Sequence, residues 1–142
     1  MTERIFDIRL STMYEGTDNK ITSLDAGILQ DGEWHKLHID TLSAGFLLLC
    51  YGLGSCQHLY FRTNAAERDL LLESSEGRVQ VVADEDWHIL RIEVQFEGIL
   101  RDGIPTQSDI DYIIDRMGHC PVSTNLVKPA DSSTIVTFLE TS

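Results

Sequence analysis

The residues of this chain best suited to chemistry are Cys50, Cys56 and Cys120, with His58 and His119 close to two of them. Cys120 stands in GHCPVS, residues 118–123, directly before a proline. A buried cysteine behaves as a small apolar filler and favours the interior of an element. This one stands where the backbone restarts. Pro121 suits the first position of a short helix, PVSTNLV, so Cys120 would lie at that helix's start. Unpaired amide groups there carry partial positive charge. Such a setting lowers a thiol pKa from its free value of about 8.5 and favours the reactive thiolate. His119 adds positive charge when protonated. The alternative is a capping thiol that packs and never reacts. Cys56, in GLGSCQHLYF, and Cys50 sit in an apolar run and, taken alone, read as core. Their spacing separates them by about 240° around a helix.

Other chemistries find less support. None of the cysteine spacings is a CxxC redox pair. Cys56, Cys120, His58 and His119 are zinc-compatible types without a chelating spacing. His35 and His38, three apart on an expected strand, point to opposite faces. No metal and no resident cofactor is expected. There is no GxSxG nucleophile elbow and no phosphate-binding glycine loop.

These residues need elements to hold them. RIFDIRL (4–10) alternates as a strand, with Phe6, Ile8 and Leu10 on one face. YEGTDNK (14–20) is a turn cluster. ITSLDAGIL (21–29) and WHKLHID (34–40) are further strands, separated by QDGE. From about Leu42 to Thr63 a helix is expected, its first part apolar on nearly every side. Such a helix must be buried all round, and one sheet covers only one face, so a second subunit is expected on the other. Gly52 and Gly54 each cost about 1 kcal/mol in a helix relative to alanine, a cost that close approach of another backbone would offset; the alternative is a helix broken near Gly52.

RTNAAERD (62–69) is expected to end that helix. LLLESSEGRVQVVAD (70–84) reads as a strand pair or one bent strand. WHILRIEVQFEG (87–98) alternates, with Leu90, Ile92, Val94 and Phe96 facing one way. RDGIP (101–105) is a loop. Thr106 or Ser108 could cap the helix that follows. In that helix Ile110, Ile113, Ile114 and Met117 form a stripe, and Gly118 suits the position past its end. SSTIVTFLE (132–140) closes as a strand. The order β-β-β-α-β-β-α-β defines an α+β fold.

The totals fit one domain spanning residues 1–142. A chain of this size buries roughly 70% of its unfolded surface and needs no cross-link to fold. Hydrophobic content of 42% and charged content of 24% are ordinary for a soluble protein. The net charge of −12 argues against nucleic acid and anionic membrane surfaces as partners. MTERIFDIRL shows no secretory signal, and the most apolar stretch, residues 44–56, is too short to span a bilayer. A cytoplasmic location is expected. There, three cysteines are expected as thiols rather than a structural disulfide framework.

LLCYGLGSCQHLYFR (48–62) resembles the "LLLAALGSC" helix of the OsmC/Ohr family, the osmotically inducible and organic hydroperoxide resistance proteins. GHCPVSTNL (118–126) resembles its second cysteine motif, C-P-[VI]-S. The 64-residue separation of the two cysteines, the intervening order of elements, the chain length and the N-terminal meander also match. The resemblance therefore covers essentially the whole chain.

It implies an intertwined homodimer, with antiparallel sheets wrapped around long central helices. It also implies a thiol peroxidase for organic hydroperoxides. Cys56 would attack the peroxide and become a sulfenic acid. Cys120 would resolve it to a disulfide, and an external dithiol would reduce that disulfide. The family's efficient peroxidases also carry an arginine on an N-terminal loop and a glutamate early in the central helix. Here no arginine lies between Arg9 and Arg62, and Phe46 stands where the glutamate is expected. Asp40 is the nearest upstream acid. Lys20, Lys36, Arg9, His58 and His119 are the candidate substitutes. A member without this network could instead bind a small apolar ligand at the dimer interface without efficient turnover.

Overall fold

The computed structural model describes residues 2–126 and 131–141. Val127, the last residue of the expected PVSTNLV helix, lies outside them. The elements follow the order β1 (Arg4–Glu15), β2 (Lys20–Gln30), β3 (Glu33–Lys36), α1 (Gly45–Glu67), β4 (Leu71–Ala83), β5 (Ile89–Asp102), α2 (Gln107–Met117), α3 (Pro121–Asn125) and β6 (Asp131–Leu139). The fold is α+β, with one six-stranded sheet in the order β3-β2-β1-β4-β5-β6. Neighbouring strands are antiparallel except β5 and β6, which are parallel. A parallel neighbour needs a crossover connection, and α2 and α3 supply it. That requirement sets the placement of Cys120, which lies in the crossover.

The inner face of the sheet carries Ile8, Leu10 and Tyr14 of β1, Val79 and Val81 of β4, and Ile92, Val94 and Phe96 of β5, all buried. α1 lies against this face through Cys50, Leu53, Gly54, Gln57, His58 and Phe61. α2 packs on α1 through Ile113 and Met117, both fully buried.

Several boundaries differ from the sequence reading. β1 runs to Glu15 rather than ending at Leu10, because Thr12 and Tyr14 continue its inner-face alternation. β3 stops at Lys36, so His38 is not on a strand. α1 continues through the polar RTNA segment. Thr63 Oγ1 donates to Leu59 O and Asn64 Nδ2 to Tyr60 O, each at 2.7 Å, which turns those side chains back onto the helix. The helix stops one turn later in a Schellman arrangement. Asp69 takes a left-handed φ of 57°. Its N–H bonds Ala66 O, and Leu70 N–H bonds Ala65 O.

Residues 71–83 form one strand with register shifts, not a pair. In β5 Leu90 leaves the expected inner face. Arg91 pairs with Val82 and Ile89 with Ala83, so Leu90 is the extra residue of a bulge and is 37% exposed.

The two helical glycines have different reasons. A Cβ on Gly54 would sit 3.4 Å from Val79 and 3.9 Å from Leu10, so its closeness is to sheet side chains rather than to another helix backbone. A Cβ on Gly52 would meet nothing within 4 Å. Gly52 lies on the face of α1 that the described residues leave uncovered, together with Leu48, Leu49 and Leu59, which are 38–44% exposed.

Candidate functional site

α1 presents Cys56 at the border of that uncovered face. Cys56 lies one turn from Gly52 and Leu59 and is partly exposed. Cys120 is fully buried. It is the N-cap residue of α3, with Pro121 at the helix start. The fold brings the two together. Cys56 and Cys120 are joined as a disulfide, with Cα atoms 6.0 Å apart, so these two cysteines are cross-linked here rather than free thiols. Cys50 is the remaining thiol. It is buried in the core on another face of α1, and burial pushes its pKa up to about 12.

The positive end expected beside Cys120 is weaker than the motif suggested. α3 has only five residues, and its first, Pro121, has no N–H. The field there rests on two amides, of Val122 and Ser123. His119, beside Cys120, has its Nδ1 turned back to Asp115 O at 2.9 Å.

The other candidate cations are engaged elsewhere or stand apart. Arg9 lies over the Trp34 ring at 4.6 Å on the exposed face of β1. Lys20 opens β2 and Lys36 ends β3, both exposed. His58 Nε2 lies 2.6 Å from Tyr14 Oη. Phe46, at the expected glutamate position, joins an aromatic cluster with Phe6 at 5.0 Å and Trp87 at 5.2 Å. Asp40 bonds Leu42 N–H and Ser43 ahead of the helix. Among the described residues no three His, Cys, Asp or Glu side chains gather within metal-ligating reach.

No family model and no curated protein matches the sequence. Solved structures do match. An OsmC-like hydroperoxide resistance protein from Jannaschia sp. is similar over 85% of this chain and 85% of its own, with a TM-score of 0.55 and 16% identity. An OsmC-like protein from Mycoplasma pneumoniae is similar over 99% of this chain and 97% of its own, with a TM-score of 0.51 and 13% identity. The chain has the OsmC/Ohr fold. The two motifs that carried the sequence resemblance sit within this fold, the first on α1 and the second on the α2–α3 crossover.

Within this OsmC/Ohr fold, two features escaped the sequence. The first is a buried chain of Ser75, Tyr14 and His58. Tyr14 Oη is 2.6 Å from both Ser75 Oγ and His58 Nε2. Burial pushes the Tyr14 pKa up to about 12 and the His58 pKa down to about 4. Tyr14 Oη thus lies between the Ser75 hydroxyl and a neutral imidazole, and the His58 tautomer sets the direction of the two bonds. The imidazole stacks on Phe96 at 5.7 Å. It is a core histidine, facing away from the disulfide.

The second is Gln57, 3% exposed, beside Cys56. Its Nε2 donates to Met117 O at 3.0 Å and Ser123 Oγ at 2.8 Å. Only its place in the motif, next to Cys56, could have signalled it. A cavity of about 410 Å³ opens beside it, lined in part by Leu53, Gln57, Ile92, Val94, Ser123 and Leu126.

Proposed function

We propose that this protein is a thiol-dependent peroxidase for organic hydroperoxides that works as a homodimer and is recycled by an external dithiol. The reading is carried by the pairing of a partly exposed Cys56 with a fully buried Cys120 across 64 residues of chain. The exposed thiol can meet a substrate, and the buried one can meet only its partner. The Cys56 thiolate attacks the distal oxygen of ROOH. The O–O bond breaks, and the alkoxide leaves and takes up a proton as ROH. Cys56 is oxidised to a sulfenic acid. The Cys120 thiol then attacks the Cys56 sulfur, the S–S bond forms, and hydroxide leaves with the thiol's proton as water. A dithiol returns the pair to thiols and is itself oxidised to a disulfide.

The uncovered strip of α1 supports the dimer. Leu48, Leu49 and Leu59 are exposed there, and no Asp or Glu occurs between Asp40 and Glu67 in an otherwise acidic chain. A second copy could pack on this strip without charge repulsion, and Cys56 would then open into an apolar seam. Names of the similar solved structures include hydroperoxide resistance, which agrees with this chemistry.

The test uses fully reduced protein treated with cumene hydroperoxide, and with hydrogen peroxide in parallel. Free thiols are counted over time and any disulfide is mapped by peptide mass spectrometry. The expected result is rapid loss of two thiols per chain with a Cys56–Cys120 link, faster with the organic peroxide, and no peroxide consumption by Cys56→Ser. A Cys56→Ser protein that consumes peroxide at full rate would sink the reading. The cavity beside Gln57 favours a second reading, binding of a small apolar ligand without turnover. Three thiols surviving peroxide would turn the assignment to that one. The residues of this chain that line the cavity come from α1, α3, β5 and β6.

A further inference from the structure

We infer that Gln57 is the positioning residue that holds Cys120 ready to resolve oxidised Cys56, an inference that rests on the two-cysteine reading above. Cys120 sits in a crossover between two helices, and the disulfide itself anchors that crossover to α1 only while it is closed. In the reduced and sulfenic states the packing of Ile113 and Met117 on α1 still holds the end of α2, and a further tie fixes Cys120 beyond it. Gln57 supplies that tie from the residue directly after Cys56. Its single amide nitrogen bonds Met117 O, three residues before Cys120, and Ser123 Oγ, three residues after it. Met117 O also accepts the Cys120 backbone N–H at 3.2 Å. The Gln57 amide therefore reaches the same carbonyl that sets the turn at Cys120.

The orientation of the amide follows from its partners, because a carbonyl oxygen can only accept. That leaves Gln57 Oε1 buried with no hydrogen-bond partner among the described residues. An unpaired buried acceptor is unfavourable. A methionine or leucine would fill the same space without that cost. What the amide supplies, and an apolar side chain cannot, is the double hold on the two flanks of Cys120. Preorganisation of this kind turns resolution into a reaction between groups already in place. It also shortens the life of a sulfenic acid that a second peroxide would carry on to sulfinic acid.

The deciding experiment does not need peroxide. Wild type, Gln57→Met and Ser123→Ala are each equilibrated with mixtures of reduced and oxidised dithiothreitol, and the fraction of Cys56–Cys120 disulfide is read by thiol alkylation and mass spectrometry. In this exchange two dithiothreitol thiols become a cyclic disulfide as the protein disulfide opens to two thiols. Closing the bond from a loosened turn is harder, so the equilibrium constant for disulfide formation falls about tenfold in Gln57→Met and severalfold in Ser123→Ala. Gln107→Ala, on the exposed side of α2, stays at the wild-type value. The same variants, given one equivalent of cumene hydroperoxide, trap more sulfenic acid with dimedone than wild type does. If Gln57→Met fails to fold, Ser123→Ala, which removes only one of the two bonds, carries the test. Constants within twofold of wild type for every variant that folds would overturn the proposal. A wild-type protein that ignores peroxide while the dithiothreitol equilibrium shifts as described would count against the peroxidase reading alone.

Discussion

His58 shows what a single side chain contributes to this fold and how far it can be read from sequence. It lies two residues from Cys56, and that spacing on a helix does not place side chains face to face. The structure turns it into the core, where Tyr14 holds its Nε2 at 2.6 Å and Phe96 covers its ring. Burial lowers its pKa from 6.5 to about 4. An unfolded His58 takes a proton below about pH 6.5, and the folded one resists until about pH 4. Its contribution to stability is therefore intact above pH 6.5 and is lost as the pH falls toward 4. Between pH 7 and 5 the loss is about 2 kcal/mol. Urea unfolding at the two pH values, compared with His58→Gln, checks this, since other titrating groups cancel in the comparison. Equal pH dependence in both proteins would show that His58 is not the group responsible. The partner of His58 was not legible because Thr12 and Tyr14 put hydroxyls on the inner face of β1 and masked its alternation, so Tyr14 reads as part of a turn. Cys56 and Cys120 were legible because two short motifs at one spacing marked them. Gln57 was not, because a lone glutamine has no pattern.

At the scale of elements, patterning located nearly every helix and strand, and the errors lie at their ends. A strand end depends on bulges and partners that a single segment does not display, as Leu90 shows. The end of α1 depends on a backbone motif around Asp69, where a glycine would have been the readable signal. The start of α2 was ambiguous between Thr106 and Ser108, and geometry decides it. Thr106 Oγ1 accepts Asp109 N–H at 3.1 Å, and the Asp109 carboxylate accepts Thr106 N–H at 2.9 Å. This reciprocal box satisfies two amides at once. Arg68 pairs with the same carboxylate at 3.0 Å and ties the start of α2 to the end of α1. Thr106→Ala is expected to lower stability by about 1 kcal/mol. Ser108→Ala, away from the cap, is expected to change it by a few tenths. Denaturant midpoints of the two variants measure the difference, and equal effects would mean that the box does not govern this end. The cap bears on function because α2 delivers Cys120, and fraying at its start would loosen the helix on which the crossover rests.

For the whole molecule, the long apolar helix poses a question that one chain does not answer. The sheet covers one side of α1, through Leu53, Gly54, Phe61 and their neighbours. On the other side the described residues leave Leu48, Leu49 and Leu59 exposed and Gly52 partly so. The sequence made this tension visible, since a run apolar on nearly every side cannot be satisfied by a single sheet. A second copy of the same face resolves it. In a two-fold pair the same patch meets itself, and Gly52, with nothing within 4 Å of its missing side chain, would let the two helices approach closely. The strip carries no carboxylate, so the net charge of −12 per chain would be held away from the seam. A glutamate placed in that seam would face its own copy, add repulsion and bury a charge. The double substitution Leu48→Glu and Leu59→Glu is therefore expected to give a monomer by sedimentation at concentrations where the wild type is a dimer. Both side chains are already partly exposed in the chain, so its fold, read by circular dichroism, should survive. Cys56 stands at the edge of the same strip, and the monomer is expected to lose preference for cumene hydroperoxide over hydrogen peroxide, because the apolar wall supplied by the second copy would be gone. A wild type that stays monomeric at tens of micromolar would leave the strip to some other cover and remove the seam from the account of substrate choice. A dimer that persists in the double variant would place the contact elsewhere on the sheet.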